Sequence, residues 1–209
     1  MDRGATTRSA VARFLATARH RSVATHTLLV TQSTPPRIGC VIAGTLEVLV
    51  EDVDGRELVL ARLGSGDFFG ELAFFDPDTP RNAWVRARGR AEIAEMSHAE
   101  FARLAAEDQG ITLALAMQMA KRLARTNGKL RELAFLNVAD RIMRTLRELC
   151  AQPDALSHPD GMQIRISRHD LGRMVGCSRE MASRVIKDFA ERGKLRALGR
   201  TLVVFDSVR

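Results

Sequence analysis

Residues 167–192 read SRHDLGRMVGCSREMASRVIKDFAER, and this stretch decides the fold of the C-terminal part of the chain. Ser167 stands three residues before Asp170, a spacing that is typical of a capping box and predicts the start of a helix. Gly176-Cys177-Ser178 interrupts the helical periodicity, which resumes over residues 179–192. Two helices joined by a short turn that contains glycine predict a helix-turn-helix.

A hairpin and a basic charge excess accompany these helices. Leu195–Leu198 and Leu202–Phe205 are apolar stretches separated by a Gly199-Arg200 turn, so the sequence predicts a winged helix-turn-helix. Residues 161–200 hold 10 Lys and Arg against 4 Asp and Glu, in a chain whose net charge is +7. Such an excess indicates a polyanion partner, most often DNA. Charge alone leaves a solvated basic face as the alternative.

The region upstream has a different pattern. Residues 25–97 contain short apolar strands between closely spaced glycines, with a hairpin signal at Asp54-Gly55, and this predicts an antiparallel barrel or roll. A long helical pattern then runs from about Gln109 to Leu136. The fold class is therefore α+β. We expect a jelly-roll-like β-roll over residues 1–108, a long helix and hinge over 109–137, and the winged module over 138–209.

The long helix carries an apolar stripe with alternating spacings of three and four residues. That repeat is typical of a coiled coil, and the polar Asn127 within it is a known device for fixing register. We therefore predict a homodimer; an amphipathic helix packed on its own domain is the alternative. The residues of this stripe, named here the helix seam, are Leu113, Ala116, Ala120, Leu123, Asn127, Leu130 and Ala134.

Several classes of protein are disfavoured by composition. No apolar run approaches the roughly 18–20 residues that a membrane span needs, and the N-terminus lacks the pattern of a secretory signal. Cys40, Cys150 and Cys177 are too scattered for a disulfide scaffold or a metal cluster. We expect a cytoplasmic protein with no metal and no membrane partner. An enzyme acting on a phosphodiester is disfavoured too, because no nucleophile–base pair or metal cluster is evident.

Three blocks of sequence resemble the cAMP receptor protein (catabolite activator) branch of the CRP/FNR family of transcription regulators. The first is GDFFGEL at 66–72 with RNAWVRA at 81–87, and the second is LAFLNV at 133–138. The third begins with HPDGMQ at 158–163 and extends to VGCSREM at 175–181. The resemblance implies a cyclic-nucleotide-binding roll, a dimerisation helix, and a winged helix-turn-helix that binds double-stranded DNA. The iron–sulfur branch of the family needs a cysteine cluster that this sequence lacks.

The resemblance implies an allosteric ligand site in the roll. A glycine at position 70 lets backbone N–H groups approach an anion, and Arg81 can pair with a cyclic phosphate through two parallel donors. Glu71 can accept a hydrogen bond from the ribose 2′-hydroxyl. The implied ligand is cAMP. The site residues are Gly70, Glu71, Leu72, Arg81, Asn82, Arg122, Thr126 and Asn127.

Three hydroxyl groups of the family's pocket are missing. Ala61, Asn82 and Asn127 stand where the family has serine, although asparagine can still donate and accept hydrogen bonds. Two alternatives to cAMP therefore stay open. One is cyclic di-GMP, the ligand of the Clp-like branch of the family. The other is a decayed pocket in a DNA-binding protein that needs no ligand.

The resemblance also assigns the DNA contacts. Arg179, Glu180 and Arg184 match the residues with which the family reads a TGTGA half-site in the major groove. Arginine pairs with guanine O6 and N7, and glutamate accepts from cytosine N4. A surface ion pair between Glu180 and Arg184 is the alternative. The residues expected to contact phosphates are Arg168, Ser178, Lys187 and Arg200.

A protein partner is implied as well. The loop over residues 155–161 resembles the family's first activating region, which contacts the α subunit of RNA polymerase. Ser157 keeps the hydroxyl of the family's key threonine there. A second activating region is only partly kept: Arg19 and Arg21 retain positive charge, whereas Glu100 replaces a lysine.

Overall fold

The computed structural model describes residues 3–31, 34–76, 78 and 83–205. The chain divides into two compact units, and two strands and one helix each extend from one unit into the other. The first unit comprises Met1–Val50 and Leu60–Asn127, and the second comprises Glu51–Val59 and Gly128–Arg209.

Two antiparallel four-stranded sheets form the roll, as the sequence predicted. The order is β1-β8-β3-β6 in one sheet and β2-β7-β4-β5 in the other. Buried Val41, Leu46, Val85 and Ile93 belong to the apolar cluster inside the roll. The strands are β1 (Arg19–Val23), β2 (Leu28–Val30), β3 (Arg37–Ala43), β4 (Leu46–Glu51), β5 (Glu57–Leu63), β6 (Phe68–Phe69), β7 (Trp84–Ala87) and β8 (Ala91–Ser97).

Helices pack on the outer face of the first sheet. Phe14, Phe68, Phe101 and Leu115 are fully buried in a second apolar cluster between that sheet and the helices. Ser97 caps the third helix through a complete capping box. None of the described helices is long and apolar enough to cross a membrane. The helices are α1 (Arg3–Thr17), α2 (Leu72–Phe75), α3 (His98–Glu107) and α4 (Gln109–Phe135), the last of which continues into the second unit.

The second unit holds the predicted winged helix-turn-helix. Ile142, Leu146, Leu171, Ile186 and Leu202 are fully or almost fully buried in its core. The sheet order is β11-β12-β10-β9. The elements are α5 (Val138–Cys150), β9 (Leu156–His158), β10 (Gly161–Arg165), α6 (Arg168–Val175), α7 (Arg179–Glu191), β11 (Leu195–Leu198) and β12 (Thr201–Phe205).

The segment before the helix-turn-helix differs from its prediction. The sequence predicted a polar loop reaching Gly161, whereas Leu156–His158 forms strand β9 and pairs with β10. Gly161 has a φ of 153°, and a Cβ at this position would lie 2.1 Å from the carbonyl oxygen of Val204. Because only glycine allows this approach, the backbone of β10 can sit between β9 and β12.

The turn of the helix-turn-helix is fixed by caps and by two glycines. The hydroxyls of Ser167 and Ser178 accept hydrogen bonds from the third residue of α6 and α7, respectively. Gly176 ends α6 in the left-handed conformation, with a φ of 72°. Gly172 lies inside α6, where an added Cβ would stand 2.6 Å from the carbonyl oxygen of Cys177.

We predict that Gly172→Ala destabilises the protein, because its Cβ would push the turn away from α6. The expected loss is about 1–3 kcal/mol in the free energy of unfolding. The matched control is Gly128→Ala in α4, where an added Cβ meets nothing within 4 Å. Better helix propensity should make that variant neutral or up to about 1 kcal/mol more stable. Denaturant unfolding measures both, and equal stabilities would contradict the packing argument.

Candidate ligand pocket and nucleic-acid interface

Gly70 gives the candidate ligand pocket its backbone geometry. Its φ is 78°, and an added Cβ would lie 2.3 Å from the carbonyl oxygen of Arg37. A side chain is therefore excluded on both conformational and steric grounds. The following residue, Glu71, lies immediately before the short helix α2.

A buried ion pair joins Glu71 to α4. The residue Glu71 is 5% exposed, and its Oε1 accepts a hydrogen bond from Arg122 Nη1 at 2.7 Å. Nη2 of Arg122 donates to the carbonyl oxygen of Phe68. A buried carboxylate needs such a partner, since an unpaired one would be strongly destabilising. A carboxylate can accept several hydrogen bonds, so Glu71 can meet a ligand hydroxyl while it keeps Arg122.

Gln118 is a second anchor that the sequence analysis missed. Its Nε2 donates to the carbonyl oxygen of Gly66 at 2.7 Å, and its Oε1 accepts from the N–H of Phe68 at 2.9 Å. Gln118 precedes Arg122 by one helical turn, so both side chains project from the same face of α4. That spacing was readable in the sequence, but the Gly66–Phe68 backbone that Gln118 contacts is about fifty residues away along the chain.

The other predicted pocket residues have varied surroundings. Thr126 and Asn127 are exposed on α4, and Leu72 is 62% exposed at the start of α2. Ala61, which replaces a family serine, packs against the apolar cluster inside the roll. Arg81 and Asn82 lie outside the described residues.

The predicted base-reading residues share one uncovered surface of α7. Arg179, Glu180, Arg184 and Lys187 are all exposed. The pKa of the Glu180 carboxyl is lowered, first by its own backbone N–H and then by the Ser178 hydroxyl, with a contribution from the Arg179 charge. Glu180 is therefore ionised at neutral pH and acts as an acceptor. The described ion pairs include none between Glu180 and Arg184, so the alternative of a surface pair gains no support.

Arg168 has an unmet hydrogen-bonding group at the start of α6. Its Nη1 is buried and has no hydrogen-bond partner within the described part of the chain. Burial lowers the pKa of its guanidinium from the ordinary value. Arg200 is exposed at the tip of the wing.

The helix seam is uncovered in a single chain. Leu113 is 48% exposed, Leu123 62% and Leu130 64%, and the alanines and Asn127 of the seam are exposed too. Gln118 and Arg122 occupy the face of α4 that packs on the roll, so the seam is not part of that contact.

Cysteine and metal chemistry have no assembled site among the described residues. No group of three or more His, Cys, Asp or Glu side chains within that part of the chain could hold a metal ion. All three cysteines are free. Burial, followed by the charge of Asp67, raises the pKa of the Cys40 thiol to about 12, so this thiol is inert at neutral pH.

Comparison with known proteins assigns both halves of the chain. Residues 20–108 match the cyclic nucleotide-binding domain family, and residues 140–207 match the Crp-like helix-turn-helix domain family. Over 190 residues the chain is 47% identical to the cAMP-activated global transcriptional regulator Vfr of Pseudomonas aeruginosa, covering 90% of this chain and 89% of Vfr. It is 44% identical over 165 residues to the cAMP-activated global transcriptional regulator CRP of Salmonella typhimurium, covering 79% of each.

A solved structure supports the same assignment. The cyclic di-GMP-responsive global regulator CLP of Xanthomonas campestris superposes with a TM-score of 0.88 at 41% identity, over 95% of this chain and 99% of CLP. The predictions of family, fold class and a non-enzymatic role are thereby confirmed. This chain belongs to the CRP/FNR family of DNA-binding transcription regulators, with a cyclic nucleotide-binding domain followed by a Crp-like helix-turn-helix.

Proposed function

We propose that this protein is a homodimeric transcription regulator that binds palindromes of TGTGA-like half-sites under the control of cAMP. The observation that carries the proposal is the uncovered surface of α7, on which Arg179, Glu180 and Arg184 are exposed together. This surface is named here the reading surface. An acid in a basic surface weakens non-specific binding to a polyanion. Its presence beside two arginines therefore favours base recognition.

The DNA-binding proposal separates base contacts from phosphate contacts. Arg179 and Arg184 are suited to guanine, and Glu180 to cytosine. Lys187 lies on the same helix and is 79% exposed in its side chain, so it serves as a phosphate contact. Arg168, the first residue of α6, is assigned the same role on the family resemblance.

We predict that Arg184→Ala and Arg179→Ala each cost about 1–3 kcal/mol of DNA affinity and relax discrimination at one base pair. The matched control is Lys187→Ala, which should weaken binding to every sequence alike and reduce the salt slope by about one. Fluorescence anisotropy on matched and single-mismatch duplexes measures these effects. An equal loss of specific and random DNA binding by Arg184→Ala would contradict the base-reading role.

The dimer proposal rests on the uncovered helix seam. Seven residues at coiled-coil spacing are exposed in the single chain, and three of them are leucines. A second copy would cover this stripe and place Asn127 opposite its counterpart. A polar residue in such a position fixes register at some expense in stability.

Asn127→Leu should strengthen the association of two chains and blunt the response to the nucleotide, because the same helix would carry both contacts. Sedimentation equilibrium measures the first effect, and the ratio of DNA affinities with and without cAMP measures the second. A variant with the wild-type ratio would show that Asn127 acts in assembly only.

The ligand proposal rests on the buried Arg122–Glu71 pair beside Gly70. The pair holds the carboxylate of Glu71 where a ribose hydroxyl could meet it, within residues 66–72, named here the cassette. Arg81 would neutralise the cyclic phosphate. The cAMP-activated proteins Vfr and CRP, at 47% and 44% identity, support cAMP as the nucleotide.

A second candidate is control by cyclic di-GMP. The observation in its favour is the similarity to CLP, whose structure superposes over 95% of this chain. The replacement of family serines by Ala61, Asn82 and Asn127 also weakens the argument for cAMP.

We predict that Arg122→Met lowers cAMP affinity about tenfold or more, since it leaves the buried Glu71 without its partner. Arg81→Ala should abolish cAMP binding. The matched control is Arg125→Ala, an exposed arginine on the same helix that belongs neither to the predicted pocket residues nor to the helix seam. Calorimetry with cAMP, cGMP and cyclic di-GMP tests all three variants. Wild-type affinity in Arg122→Met would refute the pocket, and selective cyclic di-GMP binding would establish the second candidate.

The partner proposal concerns the hairpin β9–β10. Leu156 and Ser157 are exposed there, and Leu156 is 60% exposed. An exposed apolar residue beside a hydroxyl suits a protein contact. We assign this hairpin as the surface for the α subunit of RNA polymerase.

A further inference from the structure

The start of strand β5 forms part of the second unit. Residues Glu57–Val59, named here the β5 clasp, contact three separate places in that unit. Each of the three clasp residues makes a contact of a different chemical kind, namely an ion pair, an apolar contact and a backbone hydrogen bond. A strand that only closed a surface hairpin would not require contacts of these three kinds.

The first contact is an ion pair that is largely buried from solvent. Arg173 Nε lies 2.6 Å from Glu57 Oε2, and the two side chains are 9% and 16% exposed. Arg173 belongs to α6, the first helix of the helix-turn-helix, and is one of the few buried charged residues of the chain. It also lies 3.4 Å from Asp170, so two carboxylates surround it.

The other two contacts are made by Leu58 and Val59. A Cβ built on Gly176 would stand 3.4 Å from Leu58 Cδ1 and 3.2 Å from Leu133 Cδ2, so both leucines lie against the turn of the helix-turn-helix. Lys129 of α4 donates a hydrogen bond from Nζ to the carbonyl oxygen of Val59. The clasp therefore contacts α6, the turn that follows it, and α4.

Arg173 itself has no access to the DNA-reading surface. It is 8% exposed, whereas Arg179, Glu180 and Arg184 are exposed on α7. Its guanidinium is directed to carboxylates within the unit rather than to solvent. A role of Arg173 in DNA binding would therefore require an effect on the placement of α6 and α7.

We propose that Arg173 and Glu57 are positioning residues for DNA recognition. Their ion pair holds α6 on the β5 clasp in the arrangement that leaves the reading surface of α7 uncovered. The inference rests on the proposed DNA-binding function and adds a residue pair that touches neither bases nor phosphates. Loss of the pair frees the helix-turn-helix to leave this arrangement and lowers its affinity for DNA.

The experiment compares neutral variants of each partner with the double variant. Glu57→Gln and Arg173→Gln should each weaken binding to a duplex with two TGTGA half-sites by about 5–20-fold, a range typical of coupling between sites. Arg173→Gln also removes the contact with Asp170, so its loss should be at least as large as that of Glu57→Gln. The double variant should lose no more affinity than Arg173→Gln alone, because the contact between Arg173 and Glu57 is removed only once.

Discrimination between matched and mismatched half-sites should stay at the wild-type ratio in all these variants, unlike in Arg184→Ala. The matched control is Asp54→Asn, which removes the same charge from the exposed tip of the hairpin and should leave affinity unchanged. Circular dichroism checks folding, and the double variant avoids leaving one charge buried alone.

The outcomes separate the two claims when binding is measured with and without saturating cAMP. If the wild-type protein binds neither the matched nor the mismatched duplex, with or without cAMP, the proposed function fails and the positioning role fails with it. If wild type binds but the neutral variants match it or bind more tightly, only the positioning role is overturned. Additive losses in the double variant also overturn it.

Discussion

The two faces of α4 impose the constraint on which the rest of the structure depends. One face must hold the cassette of the roll through Gln118 and Arg122, and the other carries an apolar stripe that the chain itself leaves uncovered. Both demands fall on a single helix of 27 residues. Because a helix is stiff along its axis, a change on the cassette face cannot be confined to that face.

Two buried ion pairs join elements that are distant from each other in the sequence. Glu71 and Arg122 are removed from water beside the cassette, and Glu57 and Arg173 beside the helix-turn-helix. Ion pairs of this kind contribute little net stability when compared with apolar packing, but breaking one partner away is strongly destabilising. A buried pair favours the arrangement of its two elements in which both charges are satisfied.

The sequence predicted what is local and missed what is distant. The helix-turn-helix, its wing and the helix start capped by Ser167 follow from spacings within a few residues, and the structure has all three. The pairing of Leu156–His158 with β10 is an exception, because it is local but lies in a polar stretch that is typical of a loop. Gln118, Glu57 and Arg173 were not singled out because their partners lie far away along the chain. In the cassette, Gly70 and Glu71 were identified from the family resemblance, whereas the ion pair between Glu71 and Arg122 is visible only in the three-dimensional structure.

Four helices of the described chain begin at a residue that supplies its own cap: Ser97, Asn137, Ser167 and Ser178. Each cap satisfies a backbone N–H without help from tertiary packing. Three of these four helices lie in the winged module, where the turn of the helix-turn-helix is also closed locally by Gly176. The boundaries of these helices are thus encoded over stretches of four residues. During synthesis on the ribosome, helix α7 can therefore begin at its correct residue before β11 and β12 of the wing, which follow it in the chain, have been made.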